Sequence, residues 1–445
     1  MIDVLRHPDY ARLFAAQVVA LIGTGLLTVA LGLLAYDLAG DQAGAVLGTV
    51  FAIKMVAYVG LAPVANALAG RWPRKRVLIG ADMVRAAVAL TLPFIDSVWQ
   101  IYGLIFVLQA ASATFTPAFQ AVIPDILTDE RDYTRALSLS RLAYDLENLL
   151  SPALAGILLV FISYHGLFGG TVLGFIGSAL LVLAATVPAA GPKAASRPFV
   201  DRLTRGIRIY AATPRLRGLF SLNFSAAAAG AFVLVNTVVL VRGGYGAGDS
   251  EVAMALAAFG GGSMLAALLL PRLLERLADR NVMLGAGLLL TGLTLGHAFY
   301  QGMQGLPAWN TFLLIWALSG VFYSAILTPS GRLLRNSAHA EDRPALFAAQ
   351  FTLSHLGWLV TYPVAGWAGS ALGLPVAMAI LGIMGLAGAL LAALVWPADD
   401  ALEVEHEHRD LPRDHPHLRK HPVKGARHRH VFVIDDEHRA WPTHG

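Results

Sequence analysis

The chain of 445 residues contains no cysteine, so disulfide bonds, thiolate metal sites and cysteine nucleophiles are excluded. Charged residues are also scarce, at 14% of the sequence. The nucleotide-binding pattern G-x-x-x-x-G-K-[ST] is absent, which argues against an ATP-driven protein. Ten-residue stretches of alternating hydrophobicity are missing too, so the sequence does not resemble a membrane β-barrel.

Long apolar runs fill the sequence, which is 56% hydrophobic and holds 44 glycines. A helix needs roughly 20 such residues to cross a bilayer. The sequence therefore predicts an all-α polytopic membrane protein. The opening run is too long for a cleaved signal peptide, and we expect it to be retained. Twelve spans are predicted, at about 13–36, 43–69, 77–95, 99–123, 137–162, 166–188, 216–241, 251–271, 282–300, 308–329, 345–369 and 373–396.

Basic residues are concentrated in the loops that follow the even-numbered spans, whereas the loops on the other side hold only Arg242. The positive-inside rule then places both termini in the cytoplasm. The basic residues of these loops are Arg71, Arg74, Lys75, Arg76, Arg131, Arg135, seven between Lys193 and Arg217, Arg272, Arg276, Arg280, Arg332, Arg335 and Arg343.

The longest internal loop separates six spans from six. We predict an N-terminal six-helix half (1–190), a cytoplasmic linker (191–215), a C-terminal half (216–396) and a polar tail (397–445). Within the linker, FVDRLTRGIRIYAA predicts a helix lying on the inner membrane surface, because its apolar residues recur at helical spacing. These apolar residues are Phe199, Leu203, Ile207 and Tyr210.

Predicted span 5 carries charged and polar residues: Arg141, Asp145, Glu147 and Asn148. Intramembrane ionisable residues are candidates for a transport pathway. Arg141 and Asp145 are four apart and share a helix face, whereas Glu147 lies about 200° around the helix from Asp145. The hypothesis is that Glu147 or Asp145 exchanges protons and binds a cation. The alternative is that the four residues form a structural polar lock between spans.

Other polar residues fall inside the predicted spans. Lys54 lies at mid-depth in span 2, and Asp82 precedes Arg85 by three residues in span 3, so this pair can satisfy itself. His355 lies near the middle of span 11, where a lone histidine is more often a packing residue than a ligand. The aromatic residues Trp316, Tyr323, Trp358 and Tyr362 would suit an organic solute, or serve as packing and interfacial residues.

The loop after span 2 reads NALAGRWPRKRVL and resembles the Major Facilitator Superfamily, whose loop reads G-x-x-x-D-R-x-G-R-[RK]. It departs from that pattern at Asn66, Gly70 and Pro73. It keeps Arg71, Arg74 and Lys75, and the corresponding loop after span 8 keeps Glu275 and Arg276. The resemblance implies a fold of two six-helix halves and a role for these loops as a cytoplasmic gate latch.

In this loop Gly70 occupies the position of the family's aspartate, and Asp82 is a candidate to replace that acid as a partner of Arg71. The resemblance also implies that spans 2, 5, 8 and 11 meet, so that Lys54, Asp145, Glu147 and His355 share one vestibule. A second motif, Ser151-Pro152-Ala153-Leu154-Ala155-Gly156, is similar to the superfamily's antiporter signature G-P-x-x-G-G. The resemblance implies export, and Pro152 predicts a bend.

The tail holds nine of the fourteen histidines. Neutral imidazole binds zinc, copper, nickel and iron, so composition predicts a metal-binding segment. Its low apolar content predicts disorder without a ligand. The histidines are His406, His408, His415, His417, His421, His428, His430, His438 and His444.

The opening segment HPDYARLFAAQVVALIGTGLLTVALGLLAYDLAG, the region around span 5 and the histidine-rich tail together resemble the nickel-resistance permeases of this superfamily, the NreB type. The resemblance implies proton-driven export of Ni²⁺ or Co²⁺ across the bacterial inner membrane. It also implies a monomer that is not an enzyme, with no cofactor, whose partners are the metal ion, protons and the lipid bilayer, and not nucleic acid.

Two other functions stay open. The first is proton-coupled export of an organic drug or siderophore by the same fold, since a fold does not fix a substrate. The second is a membrane metal sensor that transports nothing, and the charged, proline-interrupted span 5 argues against it.

Overall fold

The structure is a computed structural model. It describes residues 2–61, 72–127, 154–187, 199–339, 342–400, 403–407 and 427–435, together with 129, 132–133, 135–136, 139–140, 143, 151, 437–438 and 440–442. Nearly all of these residues are helical, as the sequence predicts.

The helices are numbered here in chain order. They are α1 (Pro8–Ala39), α2 (Ala43–Val56), α3 (Arg74–Thr91), α4 (Val98–Ile126), α5 (Tyr164–Ala184), α6 (Phe199–Ala212), α7 (Pro214–Val238), α8 (Asp249–Leu273), α9 (Asp279–Gln304), α10 (Trp309–Leu327), α11 (Ser330–Asn336), α12 (Arg343–Pro363), α13 (Gly369–Leu372) and α14 (Leu374–Val395). Short π-helical turns continue α2 through Leu61, α7 through Gly244 and α12 through Ala368.

Nine stretches of described helix are long and apolar enough to cross a membrane. The first, Pro8–Gly60, contains predicted spans 1 and 2, which a short 3-10 turn divides at Gly40–Gln42. Predicted span 11 corresponds to α12, which is helical but is not among those nine. Half of predicted span 5 lies outside the described residues. The other eight membrane-length stretches match predicted spans 3, 4, 6–10 and 12 in order.

The same packing pattern occurs in both parts of the chain. In the first, α5 packs against both α1 and α3, and α3 packs against α4. In the second, α14 packs against both α7 and α9, and α9 packs against α10. Each contact of the first set has its counterpart six spans later, which is the arrangement expected of a parallel repeat. The sequence prediction of two helical halves is therefore visible in the packing of the described helices.

The linker helix α6 is present where the sequence predicts a helix. Ile207 is 41% exposed, whereas Ile209 and Tyr210 are buried; the side chains of Phe199 and Leu203 lie outside the described part. Arg205 forms a buried two-bond pair with Asp342 at the start of α12. A Cβ on Gly206 would lie 2.0 Å from the carbonyl oxygen of Ala345, so only glycine permits this approach. Helix α6 is therefore fixed to α12 of the C-terminal half.

The tail contains two strands, β1 (Glu403–Glu407) and β2 (Arg427–Val431). They pair antiparallel, with His406 opposite His428. Behind β2, Phe432 and Ile434 are buried against a cluster that includes Leu333 and Trp396. The prediction of a disordered tail is therefore wrong for these residues, because the apolar run VFVI at 431–434 gives the tail a surface to bury.

Candidate transport site

The halves meet along α2 and α12, and this contact contains two of the polar residues predicted for the vestibule. The Lys54 ammonium lies 6.0 Å from the ring centre of Tyr58, and the His355 ring lies 5.5 Å from the same ring. His355 also packs 4.0 Å from Phe351, and its Nδ1 lies 2.6 Å from the carbonyl oxygen of that residue. The structure thus brings Lys54 and His355 together around Tyr58. Asp145 and Glu147, the other two members, lie outside the described residues.

Aromatic rings continue this contact toward the interior of the C-terminal half. Tyr362 lies 4.9 Å from Phe51 of α2 and 4.8 Å from Trp358. Trp358 in turn lies 6.4 Å from Tyr323 of α10, which lies 5.4 Å from Phe259 of α8. Because rings from α2, α8, α10 and α12 form one continuous path, we call these five residues the aromatic path. An apolar or aromatic molecule is the kind of solute that such a surface contacts.

One end of the contact between the halves is tightly closed. The Trp367 indole donates a hydrogen bond to Thr49 Oγ1 at 3.1 Å, and the backbone amide of Ala45 donates to Ser370 Oγ at 3.2 Å. Gly48 and Gly366 meet backbone to backbone, since a Cβ on Gly48 would lie 3.1 Å from the Gly366 Cα. This end adjoins the first turns of α2, opposite the start of α1. The halves are therefore closed at the end away from the N-terminus.

Charged residues also join the halves at the closed end. Arg242 donates a hydrogen bond to Asp249 of its own half and lies 3.5 Å from Asp37 of the other half. Its guanidinium lies 5.2 Å from the ring centre of Tyr36, and Tyr164 donates to Asp37 at 2.6 Å. Arg242, the only arginine or lysine in the predicted loops that follow odd-numbered spans, thus lies between the two halves.

A buried polar cluster lies inside the N-terminal half. Asp82 is fully buried and accepts hydrogen bonds from Arg85 and, at 2.7 Å, from Ser178. The Arg85 guanidinium lies between Phe115 and Phe175, 4.3 and 4.5 Å from their ring centres. The structure shows the self-satisfied pair that the spacing predicts. Both carboxylate oxygens of Asp82 have these partners. Arg71, the partner suggested for Asp82, lies outside the described residues, so that suggestion stays a prediction.

The predicted gate loops end in a pair of similar contacts. Arg74, the first residue of α3, donates to Asp125 at the end of α4, and Lys75 donates to the carbonyl oxygen of Ala185 at 2.8 Å. In the second half, Asp279, the first residue of α9, accepts two hydrogen bonds from Arg332 in α11. The two pairs occupy matching positions with the charges exchanged. Glu275 and Arg276, which the loop motif selected as the acidic and basic pair of the second half, are exposed.

Most of the span 5 motif lies outside the described residues, including Arg141, Asp145, Glu147, Asn148 and Pro152. Two of its described small residues, Ser151 and Gly156, lie at close helix contacts. Ser151 is buried against Gly25 of α1, where any Cβ would overlap the serine side chain. A Cβ on Gly156 would lie 3.1 Å from the Ala253 side chain of α8, so this residue adjoins the other half.

Two tail histidines have described side chains. His438 is buried, and its Nδ1 lies 2.9 Å from Asp435; His430 lies 5.1 Å from it, ring centre to ring centre. His406 and His428 are described by backbone alone, and His408, His415, His417, His421 and His444 lie outside the described part. Among the described residues, no group of three or more histidine, aspartate or glutamate side chains is placed to hold a metal ion.

Asp435 fastens the tail to the helices. It lies 3.3 Å from His339 Nε2 and accepts hydrogen bonds from the backbone amides of Glu437 and His438. Burial raises the pKa of Asp435, but the hydrogen bonds from His438 and from the two amides outweigh it and leave the pKa well below its usual range. The carboxylate is therefore ionised wherever the tail is docked near neutral pH.

Sequence reasoning selected His355 and missed His297 of α9. His297 is 4% exposed, and its Nε2 has no hydrogen-bond partner among the described residues. A signal was available, because Thr291, Thr294 and His297 recur every third residue and lie near one face of the helix. That pattern marks a polar stripe in an otherwise apolar span.

This geometry, two similar helical halves with a polar and aromatic contact between them, defines the class of secondary transporters. The chain matches the family model of the Major Facilitator Superfamily over residues 13–244 and 219–434. It therefore belongs to the Major Facilitator Superfamily, as its loop motif predicts.

Two relatives are equally similar in sequence but match different lengths of the chain. The MFS-type transporter YfiS of Bacillus subtilis is 25% identical over 389 residues, which cover 84% of this chain and 91% of the relative. Macrolide efflux protein A of Streptococcus pyogenes is 25% identical over 220 residues, 48% of this chain and 53% of that protein. The match to the efflux protein thus spans about half of each chain. Neither name refers to nickel, so the predicted nickel-resistance type gains no support from them.

Solved structures share the fold. A bacterial homologue of the human lysosomal transporter Spinster, in an inward-facing and unoccupied conformation, superimposes with a TM-score of 0.66 at 14% identity, covering 87% of this chain and 96% of the other. The nucleoside transporter NupG gives a TM-score of 0.62 at 13% identity, covering 88% and 100%. At these identities the likeness extends to the fold alone.

Proposed function

We propose that this protein exports an organic solute with an aromatic or apolar part, exchanging it for protons across the bacterial inner membrane, with both termini in the cytoplasm. The observation that carries the proposal is the aromatic path between the halves. Its rings offer broad apolar contact, and Lys54, Tyr58 and His355 add a small number of polar groups, which is the usual composition of a small-molecule site.

The direction of transport is supported from two sides. The relative with a named function is a macrolide efflux protein, and the motif from Ser151 to Gly156 is similar to the antiporter signature. Proton exchange is proposed for the span 5 carboxylates, Asp145 and Glu147, because ionisable groups at membrane depth mark coupling sites. The uneven distribution of basic loops supports the cytoplasmic termini.

Export of Ni²⁺ or Co²⁺ is the second candidate, and its support comes from the tail. Nine histidines fall within residues 397–445, and the strand register places His406 opposite His428. Imidazole groups on paired strands are suitable ligands for either ion. Under the main proposal the tail binds the metal without handing it to a transport path.

A transport assay separates the two candidates. Liposomes that contain the purified protein are loaded with a radiolabelled macrolide or with radioactive Ni²⁺, and a pH gradient is applied across their membrane. We expect gradient-dependent movement of the macrolide and none of Ni²⁺. Movement of Ni²⁺ alone would replace the proposed function with metal export. Truncation after Trp396 is the control, and macrolide transport should persist without the tail.

A further inference from the structure

A small internal cavity lies within the C-terminal half, bounded by α7, α8, α9, α10 and α14. The space open to a water-sized group is about 20 Å³, which holds one such group. Its walls include His297, Thr294, Ser319, Trp316 and Phe232. The cavity is therefore small, lined by aliphatic and aromatic side chains, and supplied with the polar groups of His297, Thr294, Ser319 and Tyr323.

The polar atoms of the cavity have a shared character. Thr294 Oγ1 donates its hydrogen to the carbonyl oxygen of Leu290 at 2.8 Å, and Ser319 Oγ donates to that of Ile315 at 2.7 Å. Since both hydroxyl hydrogens are committed, these oxygens offer only acceptor positions to the cavity. Nε2 of His297 is buried without a partner among the described residues, and in its unprotonated tautomer it is a third acceptor.

The indole of Trp316 is committed as well. Its nitrogen donates to Thr237 Oγ1 at 2.9 Å, while its ring lies 5.6 Å from that of His297 in an edge-to-face arrangement. Trp316 therefore presents carbon surface to its surroundings. Beside the Tyr323 hydroxyl, a group entering the cavity meets the three acceptors of His297, Thr294 and Ser319. Three acceptors favour a hydrogen-bond donor, and a cationic donor gains further from the ring faces.

The cavity adjoins the aromatic path. Tyr323 lines the cavity and also packs against Trp358. Gly230 lines it too, and a Cβ there would lie 2.7 Å from the Trp358 ring. The absence of a side chain at Gly230 lets Trp358 and Tyr323 approach. Two members of the aromatic path, Tyr323 and Phe259, line the cavity together with His297.

We propose that this cavity is a subsite for one hydrogen-bond-donating group of the transported solute, a hydroxyl or a protonated amine, and that His297 Nε2 accepts that hydrogen bond. The inference rests on the proposed function, since it takes the aromatic path to hold the rest of the solute. An unpartnered buried nitrogen destabilises the protein, and a solute donor satisfies it. His297 is then a specificity-determining residue.

The test is equilibrium binding to the purified protein by calorimetry, with two probes of equal charge and nearly equal size. One is 2-naphthylmethanol, whose hydroxyl is about the size of a water molecule and donates a hydrogen bond, and the other is 2-(fluoromethyl)naphthalene, whose fluorine is of similar size and donates none. We expect the first to bind about 10-fold more tightly, the ratio for one hydrogen bond that satisfies a buried acceptor. A second pair, 2-naphthylmethylammonium and the similarly shaped 2-ethylnaphthalene, shows whether a protonated amine is accepted in the same way.

Three variants complete the test. His297→Phe should remove the difference between the paired probes and raise the melting temperature, whereas His297→Gln, which keeps an acceptor, should retain part of the difference. His165→Phe makes the same change at an exposed position and should leave both affinities unchanged. Equal binding of the paired probes to the wild type overturns the subsite and leaves the proposed function standing. Failure of the wild type to bind any of the four probes overturns both.

Discussion

Arg242 of the C-terminal half lies 3.5 Å from Asp37 of the N-terminal half while it donates a hydrogen bond to Asp249 of its own half. The same arginine thus fastens the halves together at their closed end. Alternating access requires that this end open, so the contact between Asp37 and Arg242 must break in the transport cycle.

We predict that Asp37→Asn shifts the protein toward the state that is open at this end. The pair is partly exposed, so the expected change is below about 1 kcal/mol, roughly a five-fold change in population. The chain has no cysteine, so spin labels at two introduced cysteines report the distance between halves without background. Asp249→Asn is the matched control, because it removes the contact within one half. An equal shift in the two variants would argue against the inter-half role.

The buried pair of Asp82 and Arg85 gives a prediction about stability. Asp82→Asn leaves a buried guanidinium between Phe115 and Phe175 without its carboxylate, and we expect a loss of about 3 to 5 kcal/mol in the free energy of unfolding. Removing both charges, as in Asp82→Leu with Arg85→Leu, should cost less than the single change. Denaturant unfolding in detergent measures both. A double variant that is less stable than Asp82→Asn would contradict this account.

Sequence reasoning succeeded where the chain carries local patterns and failed where the partner is distant in sequence. The spans that the structure describes, the all-helical fold class and the pairing of Asp82 with Arg85 follow from runs and spacings. The contact of Arg74 with Asp125 joins residues 51 positions apart, and no local pattern indicates it. His297 was missed because its importance comes from the cavity formed by five helices, while its own sequence signal is a weak polar stripe.

The matching pairs Arg74–Asp125 and Arg332–Asp279 predict a charge-exchange result. Arg74→Asp places two carboxylates together at the end of α4, and we expect transport to fall about five-fold, which corresponds to about 1 kcal/mol for a partly exposed pair. Adding Asp125→Arg should restore the wild-type rate, because it recreates in the N-terminal half the polarity already present in the other. A double variant that transports no faster than Arg74→Asp would contradict the view that attraction between the two charges is what matters at this position.

Docking of the tail should depend on pH. Because the pKa of Asp435 is lowered in the folded state, its ionisation stabilises the docked tail above the ordinary aspartate pKa of about 4. This stabilisation is lost as the pH falls below that value toward the lowered pKa. The protection factors of the amides of 432–435, 437 and 438 against hydrogen exchange should fall over that range, and Asp435→Asn should show low protection already at pH 7. Unchanged protection down to pH 2 in the wild type would contradict the docking role.

The central claim is that the aromatic path between the halves contacts an organic solute during export. Macrolide efflux from liposomes under a pH gradient, compared between the wild type and Trp358→Ala, tests it most directly. Loss of one ring contact is worth about 0.5 to 1.5 kcal/mol, so the account predicts a fall of roughly 2- to 12-fold in efflux at low solute concentration, with Trp99→Ala, an exposed ring away from the path, unchanged. Equal efflux by the wild type and Trp358→Ala would contradict the claim.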